Sequence, residues 1–202
     1  MPKKMIQPGQ DLLLRVNQAF LDYGYSELSM VGLAKACGFT QRALYYYFSN
    51  KEEAFRAAIQ SRNDEAIRLG LEAGEAMRAK GGSALDIFTE IMNVRYGETR
   101  RMLNLSPHII ELNAEAFKRC RAQMIQVAIS FQADLEKLIV DFNETGLLQM
   151  KDDVTPAQLA QALADGARGV NQALPPISSE DLPGRYRQMC KLILYGSARL
   201  KG

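Results

Sequence analysis

Apolar residues recur every three or four positions along almost the whole chain, which is the spacing of one face of an α-helix. In the first stripe Leu12, Val16 and Phe20 share a face, and Gly24 follows where helices often end in glycine. No stretch alternates apolar and polar residues between turn signals, as a β-hairpin would. We therefore predict an all-α fold of about nine helices, over about residues 10–23, 30–36, 41–48, 51–78, 83–97, 107–119, 121–145, 156–172 and 183–199.

Glycine and proline mark the breaks between the later helices. The clearest break is Lys80-Gly81-Gly82. Pro107 follows Ser106 and Pro156 follows Thr155, and proline at the first helical position is a common helix start. We therefore expect one helix to begin at residue 107 and another at residue 156.

The segment from Gly24 to Glu53 combines two short helices with a tight turn at Cys37-Gly38-Phe39. Ser29 and Thr40 stand before the two helices, where a side-chain oxygen can cap the free amides. This is the spacing of a helix-turn-helix, at about residues 29–48.

The second helix of this motif has an unusual distribution of side chains. At about 100° per residue, Leu44 and Phe48 fall together and should face a small core. Arg42 and Tyr46 fall on the opposite side, and three consecutive tyrosines cannot all face one core at this pitch. We therefore expect an exposed surface of glutamine, arginine and tyrosine side chains.

That surface matches the chemistry of base reading in the DNA major groove. Arginine pairs with guanine and glutamine with adenine, each in bidentate fashion, and a tyrosine ring can contact thymine methyl groups. Amides at helix N-termini, hydroxyl groups and lysine contact phosphates. The candidate DNA-binding residues are Ser29, Thr40, Gln41, Arg42, Ala43, Tyr45, Tyr46, Tyr47 and Lys51.

As a set, these residues resemble the DNA-binding domain of the TetR family of bacterial transcriptional regulators. The resemblance covers about residues 8–60. Arg42 departs from the family pattern, which often has a small residue or proline there, and implies a sequence preference of its own. Tyr47 stands where histidine is frequent and Phe39 where valine is usual. The matching positions are Tyr23-Gly24-Tyr25, Ser29, Leu33-Ala34, Gly38-Phe39-Thr40, Leu44-Tyr45-Tyr46-Tyr47-Phe48 and Lys51-Glu52.

The resemblance implies a helix-turn-helix DNA-binding domain at residues 8–53 and a ligand-binding and dimerisation domain at 54–202. It also implies a homodimer, in which the last two helices pack against those of a second copy. A dimer agrees with the DNA argument, because one short helix reads few bases and a two-fold pair reads two half-sites. The candidate interface residues are Leu159, Leu163, Ala167, Val170, Tyr186, Met189 and Ile193.

By the same resemblance, a small-molecule pocket should lie among the helices of residues 51–145. Methionine suits an adaptable apolar cavity, and His108 is the candidate polar contact. We expect Arg95, Arg100 and Arg101 to be solvated surface charges, although an anionic ligand is the alternative. The candidate pocket residues are Phe88, Met92, Tyr96, Met102, His108, Phe117 and Met124.

Composition and the absence of certain motifs argue against several classes of protein. The sequence has three cysteines without a close pair and one histidine, so we expect buried thiols, no metal site and no cofactor. It has no Gly-rich phosphate loop or other catalytic motif, and we do not expect an enzyme. We see no signal peptide or membrane span and expect a cytoplasmic protein. The net charge is only +2, and it lies within residues 1–50.

The sequence therefore predicts a ligand-responsive repressor that binds a palindromic operator as a dimer and is released by a small-molecule effector. A transcriptional activator is one alternative. A helical protein-interaction module that presents its tyrosines to another protein, without DNA binding, is the other.

Overall fold

A computed structural model describes residues 6–199, and within them the all-α prediction is confirmed. A π-helical segment, Asn93–Glu98, follows Met92, and two short strands, Gln149–Met150 (β1) and Ala198–Arg199 (β2), pair antiparallel. The helices are Gln10–Tyr23 (α1), Met30–Ala36 (α2), Gln41–Leu44 (α3), Lys51–Ala79 (α4), Ala84–Met92 (α5), Thr99–Leu103 (α6), Ile109–Arg119 (α7), Arg121–Glu144 (α8), Pro156–Asn171 (α9) and Leu182–Ser197 (α10).

Several element boundaries differ from the prediction. The third helix ends at Leu44 rather than Phe48, because the amides of Tyr46 and Tyr47 bond to carbonyls three residues back and tighten the chain into a turn. The fifth helix continues through the π-helical segment and α6 to Leu103 instead of ending at 97. The two-residue strand pair was also not predicted, since so short a pairing leaves no alternating pattern.

The helix predicted at Pro107 begins two residues later, at Ile109. Ser106 is buried, and its hydroxyl donates to the Leu21 carbonyl at 2.6 Å and accepts from the His108 amide at 3.1 Å. This long-range hydrogen bond holds the chain in a turn ahead of α7. The proline signal therefore located the helix but not its first residue.

The chain divides into two compact units. Within the described residues, the first unit comprises 6–65 and Met102–Ile125, and the second comprises Ala66–Arg101 and 126–199. Helices α4 and α8 each contribute residues to both units. The functional domains predicted at 8–53 and 54–202 stay a prediction.

The core of the first unit is built by α1, α2, α3, the start of α4, and α7. Leu33, Leu44 and Phe48 are fully buried in it, as the helical spacing predicted for Leu44 and Phe48. Leu112 and Ala116 of α7 complete this core from a distant part of the chain. The helix-turn-helix is therefore supported by residues that follow it by more than sixty positions.

The core of the second unit is formed by α5, α8, α9 and α10. Its largest buried side chains include Phe88, Phe131, Phe142 and Tyr186, and the rings of Phe88 and Phe142 lie 5.5 Å apart. Helices α9 and α10 pack on each other and α10 also packs on α5.

We expect Gly74→Ala to destabilise the second unit, although alanine is favoured over glycine by about 1 kcal/mol in an open helix. A Cβ at Gly74 would lie 2.5 Å from Cγ1 of Ile91, which is fully buried. Overpacking of this kind lowers the free energy of unfolding by about 1–3 kcal/mol, measurable by urea denaturation. Gly184→Ala, where nothing lies within 4 Å, is the control and should be neutral or stabilising. Equal free energies of unfolding for the two variants would contradict the close packing of Gly74 against Ile91.

Candidate nucleic-acid interface

The turn between α2 and α3 has a fixed backbone path. Gly38 adopts a φ of +72°, a conformation that side chains with a Cβ rarely take. The Phe39 amide donates to the Ala34 carbonyl at 2.8 Å, and Arg15 Nη1 donates to the Cys37 carbonyl at 3.3 Å. These contacts set the direction in which α3 leaves the turn.

Both helices of the motif have side-chain caps at their N-termini. Thr40 Oγ1 accepts from the Ala43 amide at 3.1 Å, and Ser29 Oγ accepts from the Gly32 amide at 3.1 Å. Each hydroxyl keeps its own proton for donation. Ser29 and Thr40 are exposed, so each can donate to a phosphate oxygen while it caps its helix.

The first turn of α3 presents two long polar side chains. Gln41 and Arg42 are exposed, while Leu44 behind them is fully buried and Ala43 is half-buried. Among residues 6–199, no hydrogen bond or ion pair holds the Arg42 guanidinium. The helix is therefore fixed from behind, and its two long polar side chains are available for contacts with a partner.

The three tyrosines have different surroundings. Tyr45 is 43% exposed, whereas Tyr46 and Tyr47 are half-buried. The Tyr47 ring meets the Phe39 ring edge-on, with centroids 5.9 Å apart. Tyr47 therefore contributes to packing, and Tyr45 is the tyrosine most available to a ligand.

Lys51 is engaged within the chain. Its Nζ donates to the Tyr25 carbonyl at 2.7 Å and lies 4.4 Å from the centroid of the Tyr25 ring. These contacts tie the start of α4 to the segment that precedes α2. A phosphate contact by Lys51 stays a prediction.

Helix α7 supports the motif through contacts that the sequence did not reveal. The Ser26 amide donates to Glu111 Oε1 at 2.7 Å, and the hydrogen bonding from Ser26 lowers the pKa of Glu111. Arg119 pairs with Glu52 and lies 4.4 Å from the centroid of the Tyr25 ring. No local pattern could have indicated these contacts, because the partners are more than sixty residues apart in sequence.

The predicted ligand-pocket residues fall in different units. Phe88 and Met92 are fully buried in the core of the second unit, and Tyr96 packs against that core. Met102, His108, Phe117 and Met124 belong to the first unit. Met102 and Phe117 are each 55% exposed there, and Met124 packs against that unit's core.

His108 has a structural environment in the first unit. Its Nδ1 lies 3.9 Å from Glu111 Oε2, and both side chains approach Gly24 so closely that a Cβ there would clash. Gly24 also has a φ of +74°. Both its backbone conformation and its neighbours therefore disfavour replacement of Gly24 by a residue with a Cβ.

The predicted dimer residues point mostly into their own chain. Leu159, Leu163, Ala167 and Tyr186 are fully buried in the core of the second unit. Val170, Met189 and Ile193 are partly buried and pack against the same core. The apolar stripe identified in the sequence is thus the inward face of α9 and α10.

The three cysteines are buried, as the sequence predicted. Burial raises the pKa of the Cys37 thiol to about 11 and that of Cys190 to about 12. These thiols stay protonated at neutral pH, which makes them poor redox sensors. In the described part of the chain, no helix is long and apolar enough to cross a bilayer.

We expect Thr40→Ala to lower the free energy of unfolding by about 1 kcal/mol, because it leaves the Ala43 amide without its cap. Thr40→Ser keeps the oxygen and is the matched control. Urea denaturation of the two variants measures the difference. Equal stability of Thr40→Ala and Thr40→Ser would mean that the cap contributes nothing.

Comparison with known proteins shows what this site is similar to. Residues 17–58 match the sequence model of the bacterial regulatory proteins of the tetR family. No curated protein matches the chain.

Solved structures of regulators share the whole fold. A TetR transcription regulator from Haloarcula marismortui superposes with a TM-score of 0.70 at 15% identity, covering 94% of this chain and 97% of that one. A regulator of the TetR/AcrR family from Thermobifida fusca gives 0.61 at 24% identity, covering 92% and 95%. SmeT, the repressor of the Stenotrophomonas maltophilia multidrug efflux pump SmeDEF, gives 0.63 at 14% identity, covering 94% and 90%. Residues 17–58 thus resemble the bacterial regulatory proteins of the tetR family, and the chain as a whole shares the fold of solved TetR-family regulators.

Proposed function

We propose that the protein is a repressor that binds a palindromic operator as a homodimer and leaves it when a small-molecule effector binds. The observation that carries this proposal is the first turn of α3. There Gln41 and Arg42 are exposed on a helix that Thr40 caps and Leu44 fixes from behind. Such a helix can enter the major groove and present a bidentate arginine to guanine.

The dimer would use the outward face of α10. Leu192 is 66% exposed and Tyr195 is 52% exposed, although both are large apolar side chains on the same helix. They lie three positions apart and so share one face. Burial of this face against a second copy would pair two reading helices, as a two-fold operator requires.

Effector binding would cause release of the DNA through chain segments that contribute to both units. Helix α4 starts at Lys51 in the first unit and ends at Ala79 in the second, and α8 also crosses the division. A ligand lowers DNA affinity only if it binds the two conformations of the dimer differently. Repression is supported by the likeness to SmeT, which is itself a repressor.

The proposal is tested by selection of bound sequences from a randomised duplex library with the full chain at low salt. We expect enrichment of two inverted half-sites whose centres lie about one helical turn apart or somewhat more. Deletion of the gene should then raise expression from promoters that contain the selected site. Lower expression would indicate an activator. Failure to bind any duplex at low salt would favour a protein-interaction module and reject the proposal.

A further inference from the structure

The π-helical segment of the second unit holds a buried arginine. Arg95 is only 7% exposed, and its guanidinium carbon lies 3.9 Å from the centroid of the Phe131 ring and 4.7 Å from that of Tyr96. Our expectation of a solvated Arg95 was therefore wrong. The neighbouring Arg100 donates to the carbonyls of Asn171 and Ile177 and has a structural role.

The positive charge of Arg95 has no anionic partner in the described part of the chain. Its Nε and Nη1 are buried and donate to no acceptor. Burial lowers the pKa of Arg95, and the charge of Arg168 lowers it further, while the adjacent Tyr96 opposes the shift. The Tyr96 hydroxyl and Nη1 of Arg168 are also buried without a hydrogen-bond partner, whereas Nη2 of Arg168 pairs with Asp165.

A buried, unpaired guanidinium is energetically unfavourable by itself. Aromatic faces attract a cation but leave its in-plane N–H groups unsatisfied. A buried cation without a counter-ion is strongly destabilising, and π-helical segments occur often at functional sites. An anion that accepts from Arg95 would satisfy these groups beside the aromatic rings of Phe131 and Tyr96.

We propose that Arg95 binds the carboxylate of a small organic acid, with the rings of Phe131 and Tyr96 against its apolar part. A carboxylate supplies one negative charge and several acceptor sites, which match the positive charge and the two unsatisfied nitrogens of Arg95. The carboxylate site itself does not depend on the proposed function. Only the assignment of the bound acid as the effector rests on that function.

Binding is tested on the full chain without DNA. The probes are acetate, benzoate, phenylacetate and octanoate, each compared with its primary amide by thermal unfolding and calorimetry. Because a ligand that binds the folded state raises the unfolding temperature, at least one acid should stabilise the protein and bind about tenfold or more tightly than its amide.

Two variants assign the preference to Arg95. Arg95→Met should abolish the preference for acid over amide. Lys137→Met removes an exposed charge of the same unit and should retain the preference. If Arg95→Met does not fold, the comparison of each acid with its amide on the wild-type protein still tests the proposal. Equal binding of every acid and its amide overturns it. Persistence of the preference in Arg95→Met also overturns it.

A separate measurement distinguishes this site from the proposed function. The acid that binds best is added to the complex with the selected duplex, and release is followed by anisotropy. Release of wild type, but not of Arg95→Met, supports the effector role. Binding of the acid without release would keep the site and reject the effector role. Failure of all duplexes to bind would reject the proposed function and leave the carboxylate site intact.

Discussion

Arg42→Ala is expected to weaken operator binding by about 1–3 kcal/mol for each half-site, because a bidentate contact to guanine contributes about that much discrimination. The Arg42 side chain is exposed and takes part in no ion pair in the described residues, so its removal should leave the fold intact. The loss would therefore come from the DNA contact. Fluorescence anisotropy with the selected duplex and with an unrelated duplex measures specific and non-specific affinity separately.

The matched control for this prediction is Lys35→Ala, which removes an exposed positive charge from α2. A phosphate contact weakens binding to all sequences about equally and makes the salt dependence shallower. Lys35→Ala should show that behaviour if it has any effect. If Arg42→Ala also weakens the two duplexes equally, Arg42 contacts phosphate and the base-reading assignment is wrong.

Leu192→Glu is expected to separate the proposed dimer. Burial of a leucine side chain contributes about 1.5–3 kcal/mol, and a two-fold interface contains the side chain twice. With the added cost of burying a carboxylate, the dimer should lose about 3 kcal/mol or more, which is over about 100-fold in its dissociation constant. Sedimentation equilibrium measures this directly, and affinity for the two-half-site duplex should fall in parallel.

Leu69→Glu provides the comparison, because Leu69 is also an exposed leucine, at 42%, but lies on α4. It should leave the dimer unchanged. A dimer that persists in Leu192→Glu with its original dissociation constant would show that the outward face of α10 is not the interface.

Local patterns in the sequence were sufficient for the helix-turn-helix. Apolar spacing predicted that Leu44 and Phe48 are buried, and capping chemistry predicted the roles of Ser29 and Thr40. These features depend on residues within a few positions of each other. The same spacing placed the end of the third helix too late, at Phe48, since periodicity does not reveal where a short helix tightens into a turn.

Long-range contacts were not predictable from one sequence. The pair Ser106-Pro107 predicted a helix that begins at residue 107, yet the Ser106 hydroxyl donates to the carbonyl of Leu21, eighty-five residues away. An apolar stripe also does not say whether it faces its own chain or a second copy, and Leu163 and Tyr186 proved to face inward. The burial of Arg95 depends on Phe131 of another helix in the same way.

The discontinuous first unit limits how regulators of this kind can be recombined. A graft of residues 6–65 alone would leave behind Leu112 and Ala116, whose side chains cover the core of the first unit. It would also lose Glu111 and Arg119, which contact the backbone of Ser26 and the ring of Tyr25. A functional chimaera must therefore transplant Met102–Ile125 together with the N-terminal segment, so that three splice points are needed rather than one.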